Sequence, residues 1–139
     1  MSKQVLNRKQ MHHLKEMGVD TSKASMALIY ENKHGDVVDW EIVDDDIHEF
    51  HIGEYNPYLR SKYGTFTLQD ILDLLPKVIS YTKYEGKLCI EYNKVNNRWV
   101  MLYKKLHIVI HVTYDDDLID AAYKMLCWCI EKNLVKKLS

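Results

Sequence analysis

The chain is poor in the residues from which reactive loops are built, with five glycines and two prolines among 139 residues. Phosphate-cradling and dinucleotide-binding loops need closely spaced glycines, because only a bare backbone brings its amides close to a phosphate. That spacing is missing from the sequence, as are a serine-centred nucleophile elbow and a zinc-protease helix motif. Cys89, Cys127 and Cys129 are odd in number and lie in apolar segments, so reduced, packed thiols are expected rather than a disulfide framework. No apolar run approaches the roughly 20 residues of a membrane span, and residues 1–9 lack the apolar core of a secretory signal. A cytoplasmic protein without membrane contact is therefore expected. The formal net charge of −1 gives no overall steering of a charged partner. Together these absences point away from an enzyme, and no cofactor, metal or catalytic residue is expected.

What is present fits one globular domain spanning residues 1–139. Hydrophobic residues at 47% and charged residues at 28% match a folded chain, and a chain of this length buries about two-thirds of its unfolded surface without a metal or disulfide. Charge is regional. Residues 26–58 hold nine acids and one lysine, whereas residues 59–113 hold nine lysines or arginines and four acids.

Asn7 can cap a helix running to about Met17, which Gly18 ends. Two strands, 26–31 and 37–43, flank a turn containing Gly35, and a third strand is expected at 47–52. Thr67 with Asp70 forms a box-like start for a helix over 68–75, ended by Pro76. A strand over 78–84 is expected to turn through Glu85-Gly86 into 87–92, followed by 98–103 and 106–112 and a last helix over 117–133. The fold expected is α+β, a mainly antiparallel sheet of five to seven strands with helices packed on one face. The order β-β-β-α occurs in each half, which suggests a pseudo-duplicated unit.

On the last helix, Ile119, Ala122, Met125, Leu126, Cys129 and Ile130 fall within one apolar arc, widened by Ala121, Trp128 and Tyr123. An arc this wide implies two neighbours, for which the first helix or a second subunit beside Trp128 is a candidate, so a homodimer is considered. Cys127 and Cys129 diverge by about 200°, too far to share one metal ion. Cys127 points away from the arc and is the thiol expected to see most solvent. One of the three aspartates 115–117 is expected to cap this helix, the others favouring its positive end.

Candidate partner-binding residues lie in the loop 55–63, where Tyr55, Tyr58 and Tyr63 are interleaved with Arg60 and Lys62, joined by Trp128 on the last helix. A nucleic-acid interface is the alternative, using Arg60, Lys62, Lys94, Arg98, Lys104 and Lys105, and it requires these charges to converge. The acidic and imidazole groups of residues 44–51, Asp44, Asp45, Asp46, His48, Glu49 and His51, are the densest set of ligand-type side chains and give a third, metal-dependent enzymatic reading.

The order helix, strands, helix over 68–133 resembles the double-stranded RNA-binding domain, but Asp115, Asp116 and Asp117 stand where that family places basic residues and would repel phosphate. The β-β-β-α segment also resembles HicB-like antitoxins, without their inter-strand turn or DNA-binding tail. Residues 11–26, 66–76 and 118–133 resemble blocks of small uncharacterised proteins encoded by gut anaerobes and their phages or mobile elements. That resemblance implies a genomic setting and supplies no catalytic residues. The leading expectation is a non-enzymatic interaction or regulatory module that contacts a protein partner or itself.

Overall fold

The computed structural model describes residues 3–33, 36–44 and 58–137, with side chains at 3–27 and 64–137. Its elements run α1 (Arg8–Glu16), β1 (Met26–Lys33), β2 (Asp36–Asp44), β3 (Tyr58–Thr65), α2 (Leu68–Leu74), β4 (Val78–Tyr81), β5 (Tyr84–Asn93), β6 (Arg98–Lys105), β7 (Ile108–Asp115) and α3 (Leu118–Glu131). The class is α+β, and every named strand pairing is antiparallel.

Among the described residues the strands do not join into one sheet of five to seven. They divide into a three-stranded sheet, β2-β1-β3, and a four-stranded sheet, β4-β5-β6-β7. The division falls at α2, whose capping box at Thr67 stops β3 and sends the chain across the core before β4 begins. The halves differ in strand number and in strand order: three described strands precede α2, with the first central in its sheet, while four precede α3 and form a meander. The strand expected at 47–52 lies outside the described residues, and the third strand of the first sheet is Tyr58–Thr65 instead.

Two helices begin as their sequences dictate. Asn7 Oδ1 accepts the Gln10 amide at 2.8 Å while Gln10 Oε1 accepts the Asn7 amide at 3.0 Å. Thr67 and Asp70 repeat the exchange at α2, each cap contributing about 1 kcal/mol. Gly18, at φ +96°, takes the left-handed turn after α1. At α3 the expected aspartate cap is not made. Asp117 occupies the capping position, but its carboxylate accepts the Lys3 backbone amide at 3.3 Å, a tertiary bond that displaces the local one.

The core forms where α3 lies across β6 and β7. Ile119, Ala122, Met125, Leu126, Cys129 and Ile130 meet Met101 and Tyr103 of the sheet, with Met11 and Leu14 of α1, Ile71 and Leu75 of α2, and Leu6 and Phe66 closing the sides. Thr113 donates its hydroxyl to the Ala121 carbonyl at 2.8 Å, satisfying a buried polar group against the helix. The breadth of the α3 apolar arc thus has an intramolecular cause. Sheet and α2 contact it directly, while Tyr123 meets His13 of α1 edge-on at 6.3 Å.

Gly86 is not the turn residue. The β4–β5 turn is made by Thr82 and Lys83, with Thr82 at φ +58°, and Gly86 pairs with Ile79 inside the sheet. A Cβ there would stand 2.7 Å from Ile110 Cδ1 and 3.1 Å from the Lys104 backbone nitrogen, so the site admits only a bare Cα.

Candidate interaction surface

In an antiparallel sheet, directly paired residues project to the same face and neighbours along a strand to opposite faces. Met101, paired with Ile90 and Thr113, and Tyr103, paired with Leu88 and His111, therefore define the face beneath α3. Leu102 pairs with Cys89 and Val112, and Val100 with Glu91 and Tyr114, so these residues occupy the face away from α3. That second face is also apolar. Val112 is 42% exposed, and Val109 and Tyr114 are each 51% exposed.

Leu102 stands out on this face because it is only 5% exposed. Lys104 Nζ reaches Glu91 Oε1 at 2.8 Å, and in the register these two residues lie on either side of the Leu102–Cys89 pair. The lysine stem thereby spans the apolar centre, in the way long charged side chains cover hydrophobic surface. The hydrogen bond it donates to Glu91 raises the Lys104 pKa from its ordinary value. Lys104 is also drawn away from Lys87, which sits directly opposite it across the ladder. At the other end of the face, Arg98 lies over the Tyr114 ring at 5.3 Å and approaches Asp116 at 3.6 Å.

The sequence-based candidates scatter. Tyr55 lies outside the described residues. Tyr58, Arg60, Lys62 and Tyr63 do not form a loop: they are in β3, with Cα partners Lys33, Glu31, Ile29 and Leu28. Trp128 is half-buried and stacks on His111 at 4.2 Å with an interplanar angle of 4°, and it meets Tyr81 edge-on at 5.3 Å. Both ring contacts are made within the chain. Of the basic set, Arg60 and Lys62 belong to the three-stranded sheet and Lys94 to the β5–β6 turn. Arg98 and Lys105 end β6 roughly 20 Å apart. Asp44 ends β2, and residues 45–51 lie outside the described residues.

Other chemical groups have structural partners. The carboxylates of Asp115, Asp117 and Asp120 converge, with ligand atoms within 4.8 Å of one another. Lys3 Nζ binds Asp120 at 2.8 Å, Lys124 Nζ binds Asp115 at 2.9 Å, and Gln10 Nε2 also donates to Asp120. The cluster is thus the clasp that docks the N-terminal segment and α1 onto α3. Partial burial would raise the Asp115 pKa, but hydrogen bonds from Lys124 and the Asp117 amide outweigh it and hold the carboxyl below its usual value. Burial pushes Cys129 up to about 11 against the opposing Tyr103 hydroxyl, and it raises Cys127 beside Tyr123. Such thiols are poor nucleophiles. Cys127 is half-buried, as is Cys89, so it is not set apart as the solvent-facing thiol.

Sequence reasoning passed over Val109, Val112 and Tyr114. The signal was in β7 itself: Ile108-Val-Ile110 is a continuous apolar run, and beyond it the polar residues His111 and Thr113 take the face beneath α3, which leaves Val112 and Tyr114 on the other. Comparison with family models, curated proteins and solved structures gives no match. Among the described residues, no helix is long and apolar enough to cross a membrane.

Proposed function

We propose that this chain is a non-enzymatic interaction or regulatory module of phage-like or mobile-element origin. Its contact surface is the β6–β7 side of the four-stranded sheet. The mobile-element setting rests on the likeness of residues 11–26, 66–76 and 118–133. The interaction reading rests on one observation: β7 exposes Val109, Val112 and Tyr114 on the face opposite α3 and forms an outer strand of its sheet. Contiguous apolar surface of this kind marks binding sites for macromolecules. The charged groups Lys87, Lys104, Glu91, Arg98 and Asp116 rim it, as polar residues rim a protein interface.

A photo-crosslinking side chain placed at Val112 tests this. Crosslinked protein adducts are expected in cells from position 112 and not from Val95, which is 90% exposed in the β5–β6 turn. Equal labelling from both positions, or none from either, contradicts the reading. The nucleic-acid alternative has Arg98 and Lys104 on this same face, though both are paired with acids. Absence of oligonucleotide binding at low salt eliminates it.

A further inference from the structure

A strand at the edge of a sheet presents unpaired backbone groups that can template pairing with another chain, and folded proteins blunt such edges by shortness, charge or bulges. The two outer strands of the four-stranded sheet differ in this respect. β4 has four residues. β7 has eight, of which Ile108, Val109, Val112 and Tyr114 are exposed apolar residues. Two features blunt β7: an irregularity opposite Tyr103 and Lys104, and Lys124 Nζ on the Tyr114 carbonyl at 3.0 Å. The irregularity falls at Ile110 and the lysine contact near the end of the strand, and residues 111–113 between them carry no Asp, Glu, Lys or Arg.

The charges around β7 are arranged by sign. At its start the β6–β7 turn carries Lys105 and His107, both exposed and neither ion-paired among the described residues. At its end stand Asp115 and Asp116, and among the described residues Asp116 is ion-paired only through the 3.6 Å approach of Arg98, with 82% of its side chain exposed. A strand that is basic at one end and acidic at the other complements a copy of itself laid antiparallel.

We propose that the partner of this edge is a second copy of the chain. The two β7 strands pair antiparallel about a two-fold axis, join the two four-stranded sheets into one of eight strands, and bring Lys105 and His107 of each copy to Asp116 of the other. Such an interface is isologous, so each charge contact occurs twice. This inference rests on the interaction reading above and narrows its partner to the chain itself.

Charge swapping tests it. The full chain should show a concentration-dependent dimer mass by light scattering. A Lys105→Glu, His107→Glu variant places acid against acid at both contacts, and an Asp116→Lys variant places base against base. Each is expected to weaken the dimer by about tenfold or more while circular dichroism stays unchanged. Their equimolar mixture restores opposite charges at both contacts of the mixed dimer and should recover the dimer. A parent chain that stays monomeric at every concentration overturns the proposal, as does a dimer indifferent to both variants and to Val112→Lys. If the parent is monomeric yet position 112 crosslinks a different protein, self-pairing fails and the interaction reading stands. If position 112 also captures nothing, both fail.

Discussion

The two faces of the four-stranded sheet are made by the same strands and have opposite fates. Beneath α3, Met101 and Tyr103 are fully buried, and each polar neighbour is engaged: Thr113 donates to Ala121, and Tyr103 donates its hydroxyl to the Pro76 carbonyl at 2.8 Å. On the other face, one residue along in register, Val100, Val112 and Tyr114 are equally apolar but, among the described residues, meet a lysine–glutamate bridge over Leu102 and an arginine over Tyr114. Apolarity on both sides is the habit of strands buried on both sides, whereas an antiparallel sheet with one wet face normally alternates. The difference teaches that folding of the single chain uses only half of the apolar surface its central strands offer.

The sharpest test of that comparison is a pair of neighbours. Met101→Ala should cost about 2–5 kcal/mol by urea denaturation, because it opens a cavity in packed core. Val100→Ala should cost less than about 1 kcal/mol. Equal losses would mean that the second face contributes as much to monomer folding as the first. Next in size is Gly86→Ala, which drives a methyl against Ile110 and the Lys104 backbone and is expected to cost about 1–3 kcal/mol. Adding Ile110→Val should recover part of the loss if side-chain crowding beneath α3 is the cause.

A smaller effect comes from pH. Burial against Trp128 and the nearby Lys132 lower the His111 pKa, with Glu131 opposing. The folded state therefore favours neutral imidazole. Stability from this group is fully present above the free-imidazole pKa of about 6.5 and is lost as pH falls below it. The thermal midpoint should fall on acidification through that range, and His111→Phe, which keeps a ring on Trp128, should flatten the fall. An unchanged slope would remove His111 from the covered face's account.

The local features of the fold were legible because their causes are local. Asn7 as a cap, Thr67 with Asp70 and the apolar arc of α3 each act within one turn or one helix, and the structure places them where their residues predict. What was illegible depends on distant partners. Gly86 reads as a turn residue until Ile110, two strands away, is brought over it. Thr82-Lys83 has no turn-forming chemistry, yet it turns because the flanking pairs Tyr81–Tyr84 and Ile79–Gly86 fix the register. Asp117 reads as a cap until Lys3 claims its carboxylate. The contact surface was hidden for a related reason: the tyrosines, Arg60 and Lys62 of residues 55–63 look adhesive in sequence, while the apolar face of β7 becomes conspicuous only when α3 is seen to occupy its other side.

The most direct measurement is backbone amide hydrogen exchange across the two outer strands of the four-stranded sheet as protein concentration is raised. If β7 is the surface the chain leaves for a second copy, amides of Ile108–Asp115 should gain protection with concentration while those of Val78–Tyr81 stay constant. Exchange in β7 that is independent of concentration, or protection that rises equally in β4, would contradict the account.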